Sequence, residues 1–231
     1  MSNGSDDSAA GHTITIDVVS DVVCPWCFIG KRQLEEALAQ WRARHPDRPA
    51  PQVNWRPFQL NPDMPPGGML REDYLVRKFG RSDVGRIYEN VRRAAGEVGL
   101  SLNLEAVVRQ PNTLKPHVLM QAAGERGVQP RMAEKLFTAY FLEGRDLTDD
   151  AVLAQIAREA GLDDATITAA LTDERLREII AGQDEEAREA GVSGVPFFIF
   201  DQRLAVSGAQ GAQRLMMALD KADALAGTPT D

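Results

Sequence analysis

The chain has 231 residues with ordinary apolar and charged fractions, enough for one large domain, or one domain with a sizeable insert, to bury a core without cysteine staples. A formal net charge of −8 argues against non-specific nucleic-acid binding. No apolar run approaches the roughly 18 residues of a membrane-crossing helix, so no membrane partner is expected.

Residues 1–11 are small and polar, with Asp6 and Asp7, and are expected to be a disordered tail that also takes in His12. They lack the basic start and apolar middle of a secretory leader, so a cytoplasmic location is expected. Ile14, Ile16 and Val18 alternate with Thr13, Thr15 and Asp17, which predicts a strand with one face buried. Cys24-Pro25-Trp26-Cys27 follows, and these are the only two cysteines. From Phe28 the period changes: Leu34, Leu38 and Trp41 recur at helical steps, with Lys31, Arg32, Glu35 and Glu36 between them. Pro25 suits the first turn of that helix, where no N–H is needed. Val53, Trp55 and Phe58 mark a second strand, ended by Pro57 and Asn61-Pro62. A strand–helix–strand unit of this kind implies a parallel crossover.

Residues 63–189 read as helical throughout. Tyr74, Val76 and Phe79 share one predicted helix; Ile87, Val91, Ala94 and Val98 share the next, stopped by Gly99. Leu136, Phe137, Tyr140 and Phe141 form an aromatic face ended at Gly144. The run 146–149 supplies a cap before Val152, Leu153, Ile156 and Ala160, and Gly161 closes that helix. Leu171, Leu176, Ile179 and Ile180 follow. The apolar faces of these helices suit a core or a homodimer interface equally. Strand grammar then returns: Pro196-Phe197-Phe198-Ile199-Phe200 is a short buried-strand run, Asp201-Gln202-Arg203 a turn, and Leu204-Ala205-Val206 a return strand. Leu215, Met216, Leu219 and Ala222 close the chain with a helix. The fold class is α/β: strand–helix–strand, a large helical insertion, then strand–strand–helix. The expected division is residues 12–62 with 190–226 as one domain and 63–189 as the insertion.

Two cysteines three apart at the start of a helix make a dithiol that can open and close against another sulfur. The thiolate is the attacking species, and the unpaired N–H groups and dipole of a helix N-terminus favour it at Cys24. Cys27, one turn deeper, is the resolving thiol. A purely structural disulfide is unusual in a chain of this size without a leader. Zinc wants four ligands, and His12, His45 and His117 have no paired spacing with which to supplement the cysteines, so no metal is expected. No bound cofactor is required, since the sulfurs carry the redox equivalents. Trp26 is placed to shield the dithiol or stack on substrate, and His117, early in an insert helix, is a candidate substrate contact. Lys31 and Arg32 read first as solvated helix charges, and second as a draw for an anionic tail such as that of glutathione.

The order of elements resembles the thioredoxin fold with a helical insertion, and the chain is similar to the DsbA family, within it the FrnE-like branch. The likeness rests on Ser20-Asp21 with the CPWC motif, Gly30-Lys31-Arg32, Trp55-Arg56-Pro57-Phe58, Leu60-Asn61-Pro62-Asp63-Met64, Asn112-Thr113, 143–147 and Gly191-Val192-Ser193-Gly194-Val195-Pro196. Pro116 and Val118 depart from the family pattern, and a second cysteine pair found in some relatives is absent. The resemblance implies a thiol–disulfide oxidoreductase that oxidises, reduces or isomerises disulfides of proteins or small thiols. It also implies a cis Val195–Pro196 bond beside the dithiol, with Pro25, Trp26, Val195 and Pro196 contacting substrate and the Val195 backbone free to pair with an extended chain. Two other readings use the same scaffold. One is a glutathione-dependent isomerase or transferase, of the 2-hydroxychromene-2-carboxylate isomerase or kappa type, which commonly carries serine where Cys24 stands. The other is a non-catalytic peptide-binding module.

Overall fold

The structure, a computed structural model, describes residues 12–80 and 85–226. The expected tail at 1–11 lies outside the described residues, but His12 is described and is tethered, its Nε2 lying 2.9 Å from Asp201 Oδ2. The predicted strand is β1 (Thr15–Ser20), followed by α1 (Pro25–Arg44) and β2 (Gln52–Pro57). In β1, Ile16 and Val18 are buried, as the alternation requires. The alternation then breaks because Val19 and Ser20 are buried too: Val19 packs with Phe58 and Val192 on the other face. β1 and β2 run parallel, Ile16 opposite Val53 and Val18 opposite Trp55.

The intervening segment is not helical throughout. It opens with β3 (Met69–Leu70), which pairs antiparallel with β4 (Arg109–Gln110). A two-residue strand is too short to display a period. Gly68 makes the ladder possible: at φ +65°, a Cβ there would sit 2.4 Å from the Gln110 carbonyl oxygen. The helices are α2 (Arg71–Phe79), α3 (Gly85–Glu97), α4 (Leu114–Glu125), α5 (Gln129–Phe141), α6 (Asp150–Ala160), α7 (Asp164–Thr172) and α8 (Glu174–Glu189). Asp149, Asp163 and Asp173 cap α6, α7 and α8 through the backbone N–H groups of Ala151, Thr166 and Leu176. Gly161 ends α6 in the left-handed conformation, as predicted. In α2 and α3, Val76, Phe79 and Ile87 are exposed, while Tyr74, Leu75, Val91 and Ala95 are buried. Ile179 is exposed as well, and Ile180 carries the buried face of α8.

β5 (Phe197–Phe200), β6 (Leu204–Ser207) and α9 (Ala212–Ala226) complete the chain. The main sheet has the order β2-β1-β5-β6, with β5 antiparallel to β1. Asp201 and Gln202 turn β5 into β6 at φ 48° and 56°, a left-handed pair suited to a tight hairpin. The expected α/β, thioredoxin-like architecture with its helical insertion is the one observed. One hydrophobic core runs without a break from the sheet into the inserted helices. Aromatic contacts join them: Phe28 of α1 stacks on Phe137 of α5 at 5.1 Å, and Trp55 of β2 meets Phe137 edge-on at 6.1 Å. Phe137→Ala is therefore expected to cost about 3–5 kcal/mol, lowering Tm by roughly 10 °C in a thermal melt.

Candidate active site

The dithiol sits where β1 hands over to α1. Ser20 ends the strand, and the Cys24 N–H bonds the Asp21 carbonyl at 3.0 Å, closing a tight turn. Cys24 is the N-cap of α1, Pro25 occupies its first turn, and the Cys24 carbonyl accepts the Cys27 N–H at 3.0 Å. Both cysteines are free thiols. Cys24 exposes 4% of its surface and Cys27 1%, so both are buried, with Cys24 the nearer to solvent. Trp26 projects outward, 38% exposed, and Pro25 is half-buried between them.

The chain returns to this point 171 residues later: the Cys24 thiol donates to the Val195 carbonyl at 3.6 Å, and the Val195–Pro196 bond is cis. Gly30 permits this approach. A Cβ at that position would lie 2.9 Å from Pro196 Cγ and 3.1 Å from Phe198 Cζ, so any larger residue would drive α1 off the proline loop. Among the described residues, no hydrogen-bond acceptor takes the Val195 N–H.

Burial pushes the Cys27 thiol well above its ordinary range, and the hydrogen bond and charge of Cys24 push it further. The Ser20 side chain and the Asp21 backbone offset part of this. The two sulfurs therefore sit in unequal settings, one at the rim of the helix mouth and one beneath it.

Asp21 has no exposed surface. Its Oδ2 accepts the Leu60 N–H at 2.7 Å, and its Oδ1 lies 3.6 Å from His117 Nε2, itself on a side chain only 5% exposed. Neither Oδ1 nor Nε2 has a hydrogen-bond partner, so their contact is one of charge across 3.6 Å. His117 faces inward onto Asp21 and is as buried as Cys24. Lys31 departs from expectation. It is buried, with Nζ 2.5 Å from Glu35 and 2.6 Å from Glu134, and Arg32 bonds the same two carboxylates. Burial alone would raise the Glu134 carboxyl, but the Arg32 and Lys31 bonds outweigh it and hold the group below its ordinary range. These cations clamp α1 to α5 and are not free for a ligand. Reasoning from sequence quoted Asp21 without giving it a role and missed Glu134. The available signal was an acid inside the otherwise apolar approach to the first cysteine.

Residues 15–220 match the model of the DSBA-like thioredoxin domain. The chain belongs to that family. Its chemistry is thiol–disulfide oxidoreduction, and Cys24 and Cys27 have the spacing it uses. The chain is 28% identical to the uncharacterised protein YwbO of Bacillus subtilis over 200 residues, 86% of this chain and 92% of that one. Among solved structures it is similar to a probable DsbA oxidoreductase from Streptomyces coelicolor, with TM-score 0.81 and 29% identity over 94% of this chain and 93% of the other. It shares its fold with the cytosolic disulfide reductase DsbM of Pseudomonas aeruginosa with GSH, at TM-score 0.59 and 20% identity over 91% and 96% of the two chains.

Two outcomes follow from the geometry. Asp21→Ala strands His117 and the Leu60 N–H in the interior and is expected to cost about 3 kcal/mol, read as a fall in Tm, whereas Asp21→Asn keeps an acceptor for Leu60 and costs less. The reduced protein is expected to lose stability above about pH 8.5. There the unfolded Cys27 ionises while the buried thiol stays protonated, so the unfolded state binds fewer protons and ΔG falls with pH. Denaturant melts across pH 7–10 should show this fall in the wild type and a smaller one in Cys27→Ala.

Proposed function

We propose that this protein is a cytoplasmic disulfide-exchange enzyme of the FrnE-like branch in which Cys24 attacks and Cys27 resolves. The observation that carries the reading is the Cys24 thiol at the mouth of α1, 3.6 Å from the Val195 carbonyl, with the more deeply buried Cys27 one turn behind. The Cys24 thiolate attacks one sulfur of a disulfide, and the other sulfur departs as a thiolate. Cys27 then gives up its proton and attacks the Cys24 sulfur. The captured partner leaves as a thiol, and the enzyme is left as a disulfide. The reverse sequence oxidises a dithiol, and release before resolution permits isomerisation. An incoming sulfur takes the place of the Val195 carbonyl contact, and the free Val195 N–H offers an extended substrate a backbone partner, as an added strand would use. The substrates are protein disulfides or small thiols, with glutathione the leading co-substrate, and no bound cofactor takes part.

Retention of both sulfurs favours this over the glutathione-dependent isomerase reading. Cys24→Ser is expected to abolish insulin-disulfide reduction. Cys27→Ser should instead accumulate a mixed disulfide at Cys24, visible by mass spectrometry. In the folded wild type, iodoacetamide should label Cys24 well before Cys27 at pH 7–8, and both equally on unfolding. Preferential labelling of Cys27, or full isomerase activity in Cys24→Ser, would overturn the mechanism.

A further inference from the structure

β1 and β2 are parallel, so the segments that leave them emerge at the same edge of the sheet, the edge at which ligands gather in folds of this kind. The segment after β1 carries Cys24. The segment after β2 carries Leu60, tied to the first by the 2.7 Å bond from its N–H to Asp21. Leu60 also packs with Val195 on the cluster of Val19, Phe58 and Val192. Immediately beyond Leu60 lies a cleft of about 290 Å³ whose walls include Asn61, Asp63, Tyr74, Arg77 and Lys78. Its polar groups are ordered from within: Lys78 Nζ donates to the Tyr74 hydroxyl at 2.7 Å and lies over the Tyr74 ring, and Asn61 Nδ2 donates to the same hydroxyl at 3.5 Å. Arg77 has no ion-pair partner among the described residues.

Basic residues in the last turn favour the C-terminus of any helix, α2 included. What distinguishes these two is that both line the cleft while the other cations around the dithiol are matched. Lys31 and Arg32 are committed to Glu35 and Glu134, Arg56 to Asp17, and Arg188 to Asp184. On a chain of net charge −8, this is a local cationic site on the segment that Leu60 ties to the cysteine turn. The cleft also carries one carboxylate, Asp63.

We infer that this cleft is a docking site for the amino-acid head group of a small thiol or disulfide, its carboxylate on Arg77 and Lys78 and its ammonium on Asp63. An arginine fork matches a carboxylate in a bidentate geometry, and an acid in the same cleft matches the zwitterion's other charge. The site would hold a γ-glutamyl or similar amino-acid arm while the sulfur reaches Cys24. The inference rests on the disulfide-exchange reading and names its substrate class.

The test follows oxidation of the reduced protein by stopped-flow tryptophan fluorescence, with oxidised glutathione and neutral hydroxyethyl disulfide as probes. In each case one disulfide is reduced to two thiols as the Cys24–Cys27 disulfide forms. With oxidised glutathione the rate should saturate. Arg77→Gln should raise the half-saturation concentration about fivefold or more, and Arg77→Glu further, with the limiting rate unchanged. Asp63→Asn should raise it as well. Oxidation by hydroxyethyl disulfide should stay within about twofold in all three variants. An unchanged half-saturation for oxidised glutathione in the Arg77 variants, or an equal loss with both probes, overturns the docking site. A half-saturation that is unchanged or lower in Asp63→Asn overturns the ammonium assignment. Failure of either disulfide to oxidise the wild-type pair would instead sink the exchange reading beneath it. Arg77 and Asp63 are exposed, and matched thermal melts check that each variant folds.

Discussion

The site depends on one buried carboxylate. Asp21 joins three parts of the molecule that are distant in sequence: the turn that presents the cysteines, the loop that leaves β2, and α4 of the insertion. An acid with no exposed surface is costly unless its oxygens are engaged, and that cost gives the arrangement its uniqueness. Oδ2 is satisfied by a backbone N–H, and Oδ1 has only the histidine opposite. Slippage of either neighbouring loop would leave a charge in the interior. The position of Cys24 at the mouth of α1 is therefore fixed from behind.

The two sulfurs differ by one helical turn, and the fold turns that small displacement into a division of labour. Cys24 is an N-cap with a single carbonyl against its thiol, a contact that a substrate sulfur can replace. Cys27 lies one turn inside, between the end of β1 and Cys24 itself, where burial keeps its proton on. A thiol that resists ionising is a poor attacker of strangers and an adequate attacker of a bonded neighbour, because proximity replaces nucleophilicity. Gly30 is the less visible half of this design. Its missing side chain lets the loop at Pro196 close over α1, which places the Val195 carbonyl at the sulfur.

Much of this was legible in the chain. Period and punctuation located β1, α1, β2, β5, β6 and α9, because each is long enough, or bounded sharply enough, to show its pattern. The caps at Asp149 and Gly161 were legible for the same reason. The β3–β4 ladder was not, since two residues carry no period and their partners lie in distant sequence. Which apolar residues of α2 and α3 are core was left open by the sequence: Phe79 and Ile87 are exposed, whereas Leu75 and Ala95 are buried. Lys31 was misread for a different reason. Polar residues on a helix are expected to face solvent, and only the partner element reveals otherwise. Glu134 on α5 draws Lys31 inward. Pairing across long sequence separations leaves no local trace.

The inserted helices share one core with the sheet, and the stack of Phe28 on Phe137 fixes α5 against α1. The Lys31–Arg32–Glu35–Glu134 cluster adds a charged clamp along the same seam. The Val195 backbone, Trp26 and the segment from Leu60 into α2 lie away from that seam. That segment follows β2 as the cysteines follow β1, and it is held to them by Asp21. The same bond that ties the cysteine turn to the loop after β2 therefore also anchors the start of that segment.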